Sequence, residues 1–248
     1  MTATPNVYTR RWFSTFLEHI DPAIVEREVA FVQRQLAVPP EKQHPVTRLL
    51  LDLCCGPGRH TKPLAESGYR VVGLDRDAAS LRAAATYAPR AALLRADMRL
   101  IPLATAAVDA IICMWQSFGY GDAAENQRVL AEMGRVLCPG GCLIMDLYHR
   151  QFYATHEGER VIERDNMRIH ERRSMHAGRL GVRLRFESPP SEEAFDWLLY
   201  TPGELAAAAA PAGLRLRLAC AEFDEQTAAS AAHPRMQVVF TAEQTGAA

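Results

Sequence analysis

The sequence predicts an α/β fold built on a doubly wound parallel sheet. Between residues 49 and 148, short apolar runs alternate with segments of helical periodicity, and this alternation is typical of parallel sheets with crossover helices. The first run ends in the glycine turn "CCGPG", residues 54–58, and the next two runs end at Asp75 and Asp97. Because ligands bind at the carboxyl ends of parallel strands, these strand ends predict one common site.

Local signals place the elements of this core. Asp21 and Pro22 begin a helix whose apolar residues recur as far as Leu36, before Pro39, since aspartate caps helix starts and proline is favoured in the first turn. Buried apolar runs predict five strands, over 49–55, 69–75, 91–97, 108–115 and 142–148. Helices are predicted between them, from about Arg59 to Gly68, from Asp77 to about Tyr87, and from Asp122 to the glycines at 140–141.

The pattern changes after Arg150. Consecutive, mostly alternating segments between 159 and 200 predict an antiparallel β-meander. The α/β pattern then resumes with an alanine-rich helix over 204–212 and two strands, over 214–223 and 236–243. These changes predict four regions: an N-terminal helical cap over 1–45, a ligand-binding core over 46–150, an antiparallel insertion over 151–200 that serves as a lid, a substrate platform or a dimer contact, and the C-terminal part of the core over 201–248.

Length, charge and cysteine usage narrow the class of protein. The chain has 248 residues and a formal net charge of −1, which fits one elaborated domain and gives no indication of a nucleic-acid partner. Eight arginines between 159 and 187 alternate with apolar residues. This pattern is typical of the solvent-exposed face of a sheet. The six cysteines include no C-x-x-C pair, so we expect reduced thiols and no metal site. With neither an apolar leader nor a run of membrane-spanning length, a cytoplasmic protein without a membrane partner is expected.

The strand-end residues predict which ligand is bound. Glycines at 56 and 58 allow close approach of the backbone, and Asp75, seventeen residues after Gly58, suits both hydroxyls of a ribose. A dinucleotide turn would place a third glycine where Thr61 stands. Asp97 and Met98 can meet the amino group and ring of an adenine. An adenosine cofactor without phosphates is therefore predicted, and a nicotinamide dehydrogenase is the weaker alternative.

Four segments carry a resemblance to a known family. "LLDLCCGPGRH", "VVGLDRD", "LRADM" and "VLCPGGCLIMDL" resemble successive motifs of the class I S-adenosylmethionine-dependent methyltransferases, over about Val46 to Tyr148. The resemblance implies a Rossmann-like sheet of seven strands in the order 3-2-1-4-5-7-6, with strand 7 antiparallel and the meander inserted after strand 5. Residues 214–223 and 236–243 would be strands 6 and 7. Cys54 departs from the family, because a glycine is commoner at that position.

The resemblance also implies S-adenosylmethionine as the cofactor and gives roles to individual residues. Backbone atoms from Cys54 to Gly56 would hold its methionine end, and Asp75 its ribose. The adenine would meet Asp97 and Met98, the Trp115 carbonyl and, at its flank, Arg76. The cofactor-binding residues implied in this way are Cys54, Gly56, Gly58, Asp75, Arg76, Asp97, Met98 and Trp115.

The segment after strand 4 narrows the class of methyl acceptor. It is "MWQSFGY", which lacks the [DN]-P-P-[YF] motif of enzymes that methylate nucleobases or glutamine and lacks the acidic ligand of metal-dependent catechol enzymes. It is similar to methyltransferases of small metabolites, including sugar-amine and natural-product enzymes. Methyl transfer to nitrogen or oxygen of a small molecule is therefore expected. The alternative is a non-catalytic module that binds S-adenosylmethionine and acts in partner binding, and a homodimer is left open.

A hydroxyl acceptor benefits from a general base, whereas a neutral amine needs little more than alignment. His149, directly after strand 5, is the first candidate base, because histidine can be neutral at pH 7. Tyr120 is the second candidate, and His170 and Tyr153 are weaker alternatives. His60 is expected to support the glycine turn. The N-terminal aromatic residues could cap the cofactor or pack on the insertion: Tyr8, Trp12, Phe13 and Phe16.

Overall fold

The computed structural model describes residues 6–17, 20–36, 49–164 and 167–243. Two helices precede the first strand, α1 (Arg10–Phe16) and α2 (Pro22–Leu36). The helix predicted from Pro22 to Leu36 is therefore confirmed. Its predicted limit at Pro39 and the predicted region boundary at 45 lie outside the described residues.

The core alternates strands and helices as predicted. Its elements are β1 (Leu49–Leu53), α3 (Thr61–Glu66), β2 (Arg70–Asp75), α4 (Ala78–Tyr87), β3 (Ala92–Arg95), β4 (Val108–Cys113), α5 (Ala123–Val136) and β5 (Leu137–Tyr148). Asp77 and Asp122 cap α4 and α5 by accepting hydrogen bonds from backbone N–H groups. Helix α5 ends before the glycines predicted to stop it, because Leu137 is already extended and pairs with Val108.

The second half of the chain adds one sheet and completes the other. It contains α6 (Arg150–Ala154), β6 (Gly158–Arg164), β7 (Met167–His176), β8 (Arg179–Phe186), β9 (Ser191–Leu198), α7 (Pro202–Ala209), a 3-10 turn (Ala210–Ala212), β10 (Leu214–Ala221), β11 (Asp224–Ala228) and β12 (Arg235–Ala242). The short helix α6 was not predicted from the sequence.

The main sheet has the strand order β11-β10-β12-β5-β4-β1-β2-β3. With β10 and β12 as the sixth and seventh core strands, the predicted order 3-2-1-4-5-7-6 is confirmed, and β12 runs antiparallel to β5. An eighth strand joins the edge, where seven had been predicted. The strand predicted over 214–223 ends at Ala221. Glu222 and Phe223 both have a φ of 58°, the conformation found in tight hairpin turns.

Strands β6 to β9 form a separate antiparallel meander in chain order, as predicted. One face buries apolar residues of all but the first strand. The N-terminal segment packs against the same cluster through Tyr8 and, from α1, through Trp12 and Phe16. The arginines of the opposite face alternate with these residues along β7 and β8. The division of the chain into four regions, with a lid, platform or dimer role for the meander, stays a prediction.

The main sheet is buried on both faces. Helices α5 and α7 cover one face through residues such as Leu130, Met133 and Leu205, and α2 and α3 cover the other through Val32 and Leu64. In the described part of the chain, every helix is too short or too polar to cross a bilayer. All six cysteines lie within the described residues, and none of them forms a disulfide bond. With both faces covered, the strand ends are the part of the sheet left open to a ligand.

Candidate functional site

One cavity of about 730 Å³ lies where the carboxyl ends of the central strands meet. Its walls come from the glycine turn after β1, the ends of β2 and β3, the segment after β4, and the N-terminal residues around α1. The described residues of the meander, 151–164 and 167–200, contribute no lining residue. The cavity therefore joins the predicted site to the N-terminus of the chain.

The structure brings together most of the residues predicted to bind the cofactor. Those that line the cavity are Cys54, Gly56, Asp75, Arg76, Asp97, Met98 and Trp115. Gly58 does not line it. Gly58 has a φ of 90°, and a Cβ added there would lie 3.3 Å from Ala84 Cβ, so this glycine lets α4 pack closely on the turn.

Backbone hydrogen bonds fix the glycine turn to the end of β2. The Gly56 N–H donates to Asp75 Oδ2 at 2.8 Å, and the Asp77 N–H donates to Asp75 Oδ1 at 2.9 Å. Each carboxylate oxygen keeps a lone pair for another donor. Cys54 has a φ of 63°, so the cysteine adopts the left-handed conformation that favours glycine, which explains why glycine is commoner at this position. Burial raises the pKa of the Cys54 thiol and keeps it neutral.

The end of β3 carries a fixed negative charge. Arg99 Nη2 lies 2.8 Å from Asp97 Oδ2, and Arg99 Nη1 lies 2.8 Å from Glu125 Oε1. The hydrogen bond from Arg99 lowers the pKa of Asp97, so this carboxyl is ionised at neutral pH. An ionised carboxylate accepts hydrogen bonds, as an adenine amino group would require.

Asp52 lines the cavity and was not predicted from the sequence. It sits inside the buried strand β1 with 2% of its surface exposed, and Thr61 Oγ1 donates to its Oδ2 at 2.5 Å. Burial raises its pKa. The signal was one charged residue within "LLLDL", since an acid is rarely buried without a partner. Thr61 supplies that partner. The sequence had marked Thr61 only as the position where a dinucleotide-binding turn would have its third glycine.

Trp115 forms the cavity wall at the end of β4, where two hydrogen bonds and two arginine side chains fix its position. Its indole Nε1 donates to Glu28 Oε1 at 2.6 Å, and its backbone N–H donates to Asp146 Oδ2 at 3.2 Å. The guanidinium carbons of Arg59 and Arg235 lie 4.3 and 5.3 Å from its ring centroid. Trp115 has a φ of 56°, so these contacts stabilise a backbone conformation that tryptophan seldom adopts.

Two buried carboxylates, neither of them predicted from the sequence, anchor this wall. Asp146 is 0% exposed and accepts hydrogen bonds from Arg235 Nε at 3.0 Å and Gln237 Nε2 at 2.8 Å. Burial alone would raise the pKa of Glu28, but a hydrogen bond from His60 and the charge of Arg59 lower it to about 2. His60 thus supports the region behind the turn, in keeping with its predicted place.

The N-terminal segment closes the cavity opposite the strand ends. Tyr8, Trp12 and Phe13 line the cavity, and the Tyr8 and Tyr120 hydroxyls are 3.1 Å apart. Arg76 Nη2 donates to the Asn6 carbonyl at 3.1 Å. Tyr8, Trp12 and Phe16 also pack on the meander, which was one of the two predicted contacts, and a role in capping the cofactor stays a prediction.

Residues 50–141 match the sequence model of a family described as "Methyltransferase domain". This stretch of the chain therefore has the sequence pattern of a methyltransferase domain. The matched range includes the glycine turn and the ends of the first four strands, so it covers most of the cavity's strand-end wall.

Individual relatives share this domain. The chain is 33% identical over 96 residues to a demethylmenaquinone methyltransferase of Renibacterium salmoninarum, covering 39% of each protein. It is 32% identical over 112 residues to the dTDP-3-amino-3,6-dideoxy-α-D-glucopyranose N,N-dimethyltransferase of Streptomyces fradiae, covering 45% of this chain and 44% of that protein. The chain thus matches less than half the length of these relatives.

The fold of the whole chain is similar to that of a solved methyltransferase. The structure of the amino pentose methyltransferase CalS10 from Micromonospora echinaspora, with S-adenosylmethionine bound, superimposes with a TM-score of 0.69 at 20% identity. The superposition covers 96% of this chain and 99% of that one. The similarity therefore extends beyond the methyltransferase domain to the meander and the N-terminal helices.

The residues predicted as general bases lie in different places around the methyltransferase domain. Tyr120 lines the cavity, and burial raises its phenol pKa. His149 is 2% exposed and does not line the cavity. Its backbone N–H donates to the Pro234 carbonyl at 3.0 Å. His170 pairs with Glu187 at 2.5 Å on the meander, and Tyr153 lies in the meander's core. A basic role for any of them stays a prediction.

Proposed function

We propose that the protein is an S-adenosylmethionine-dependent methyltransferase that methylates a nitrogen or oxygen atom of a small-molecule metabolite. The observation that carries this proposal is that one cavity joins two kinds of wall. The strand ends present carboxylates and a glycine turn suited to an adenosine, and the N-terminal segment presents aromatic rings. Both reactants would share the cavity, as direct transfer requires.

The strand-end wall fits the cofactor residue by residue. Asp75 is fixed by two backbone N–H groups and keeps acceptor capacity for the ribose hydroxyls. Asp97 is ionised beside Arg99 and would accept from the adenine amino group, with Met98 beside the ring and Arg76 at its flank. The positive φ of Cys54 and Gly56 leaves the turn's backbone open to the methionine end. When bound, S-adenosylmethionine supplies a methyl group already activated by the sulfonium charge.

The aromatic wall would align the acceptor and exclude water. Tyr8, Trp12 and Tyr120 meet the cavity opposite the strand ends, and burial raises the pKa of both phenols. Neutral phenols orient an acceptor by hydrogen bonding and do not remove its proton. This wall favours a neutral amine, which needs no base. The names of the Streptomyces fradiae and Micromonospora echinaspora proteins, which act on amino sugars, support an acceptor of that kind.

Methyl transfer from labelled S-adenosylmethionine to a panel of amino sugars and hydroxylated metabolites tests the proposal. Mass spectrometry of the products would show a gain of one or two methyl groups on an amine. Binding of the cofactor without transfer to any acceptor would instead support a non-catalytic module. Absence of cofactor binding by calorimetry would overturn the proposal altogether.

A further inference from the structure

The segment that carries Tyr120 is tied to the meander by its backbone. We call residues 117–121 the Tyr120 loop, and four of these five residues line the cavity. The Leu198 N–H donates to the Gly119 carbonyl at 2.8 Å. Gly119 has a φ of 98°, and a Cβ added there would lie 2.4 Å from the Leu198 carbonyl oxygen. Glycine therefore lets the Tyr120 loop approach strand β9 this closely.

Arg179 of β8 binds the same loop with its side chain. It lies opposite Leu198 in the meander. Its Nη1 donates to the Gly121 carbonyl at 2.9 Å, and its Nη2 donates to the Tyr120 carbonyl at 3.3 Å. Its Nε donates to Asp196 Oδ1 on β9, and this charged partner orients the guanidinium. One planar group thus holds two successive carbonyls of the Tyr120 loop, a geometry that suits arginine better than lysine.

The N-terminal segment is tied to the same point of β9. The Asp196 N–H donates to Asn6 Oδ1, and Asn6 Nδ2 donates to the Asp196 carbonyl, both at 2.9 Å. Two residues after Asn6, the Tyr8 hydroxyl lies 3.1 Å from the Tyr120 hydroxyl. Asp196 therefore connects the two segments that carry the paired phenols, one through its carboxylate and Arg179, the other through its backbone.

Helix α5 holds only the end of the Tyr120 loop. Asn126 Nδ2 donates to the Gly121 carbonyl at 3.2 Å, whereas the carbonyl of Tyr120 itself is bound by Arg179. Arg179 does not line the cavity, so it can affect a ligand only through the residues that it holds.

We infer that Arg179 is a positioning residue for the methyl acceptor, and that the meander acts on the cavity through it. This inference rests on the proposed function, in which Tyr8 and Tyr120 orient the acceptor. Arg179 fixes the Tyr120 loop to the strand that also binds the N-terminal segment. The meander would thus set the distance between the two phenols. A misplacement of about 1 Å can slow a reaction about 100-fold.

The position of Tyr120 can be measured without an acceptor, by fluorine NMR of the protein with 3-fluorotyrosine at position 120. In Arg179→Met, we expect its resonance to move toward that of free 3-fluorotyrosine, because the Tyr120 carbonyl loses its hydrogen bond. Arg179→Lys, which keeps the charge and loses the planar group, should give an intermediate resonance. Binding of S-adenosylhomocysteine by calorimetry should stay within about 2-fold of wild type, since Arg179 lies outside the cavity.

Methyl transfer gives a second readout. With an amine acceptor from the panel, kcat of Arg179→Met should fall about 10-fold or more, while KM for S-adenosylmethionine stays within about 2-fold of wild type. Arg183→Met is the matched control, because Arg183 lies on the same strand and is exposed. This control should match wild type in resonance, affinity and turnover.

An unchanged Tyr120 resonance in Arg179→Met would overturn the inference, and so would a moved resonance with unchanged kcat. A comparable loss of S-adenosylhomocysteine affinity would show that Arg179 supports the whole domain instead. Each of these results leaves the proposed function in place. A wild-type protein that binds no S-adenosylhomocysteine would overturn the proposed function, and the inference with it.

Discussion

The two walls of the cavity are held in place by different kinds of contact. The strand-end wall is fixed by backbone hydrogen bonds, such as those that join Gly56 and Asp77 to the Asp75 carboxylate. The N-terminal wall rests mainly on side chains, with Tyr8 and Trp12 packed on Phe195 of the meander. The first wall is built into the main sheet, and the second is docked onto a separate one.

Buried polar groups show that the second wall is the less satisfied of the two. Among the described residues, buried side-chain polar atoms without a partner include Thr15 Oγ1 on α1 and Glu193 Oε2 on the strand beneath it. Each such atom costs about 1–3 kcal/mol. The docked wall is therefore the part of the cavity expected to open first, because local stability falls where polar groups are unpaired.

Removing the main packing contact of the N-terminal wall should have the largest effect, and this effect should be confined to that wall. Phe195 is 3% exposed, and Phe195→Ala should cost about 3–4 kcal/mol of docking stability by leaving a cavity. Hydrogen exchange in residues 6–17 should accelerate, and turnover should fall. Arg183→Ala, on the meander's exposed face, is the control. A large loss of cofactor affinity in Phe195→Ala would show that the walls act as one.

Asp75→Ala makes the converse test on the strand-end wall. Loss of a carboxylate that accepts from both ribose hydroxyls should weaken S-adenosylmethionine binding about 100-fold or more, as measured by calorimetry. Asp122→Ala removes a helix cap outside the cavity and should lower stability by about 1 kcal/mol without changing affinity. Unchanged affinity in Asp75→Ala would remove the ribose assignment.

The docked wall should respond to pH through Glu193. Burial raises the pKa of this carboxyl above its ordinary value of 4.5, so the docked state favours the protonated form. Docking should be strongest below pH 4.5 and weaken as pH rises through the raised pKa. Hydrogen exchange of α1 against pH measures this change. Glu193→Gln should remove the pH dependence, and a pH dependence that survives this substitution would assign it to another group.

His149→Gln should have the smallest effect. His149 lies outside the lining of the cavity, and burial lowers its pKa. Turnover with the preferred acceptor should therefore stay within about 3-fold of wild type, whereas loss of a general base costs about 100-fold or more. A loss of the larger size, with the melting temperature unchanged, would establish His149 as the base predicted from the sequence.

Local sequence signals predicted the strand-end wall. The apolar runs, the aspartate caps of α4 and α5, the glycine turn, and the acids at 75 and 97 each depend on residues near one another in the chain. The rule that parallel strand ends share one edge then placed these residues together. The strand order followed from the family resemblance, and the structure has that order with one added edge strand.

The N-terminal wall and the support of Trp115 were decided only by the tertiary structure. Glu28 reaches Trp115 across 87 positions of sequence, and Asn6 reaches Asp196 across 190. A single sequence carries no pattern for such contacts, because they depend on how finished helices and strands pack. Periodicity could show that Glu28 lies on a helix and Asp146 in a buried strand. Only packing brings both carboxylates to the same tryptophan, with Arg59 stacked on its ring.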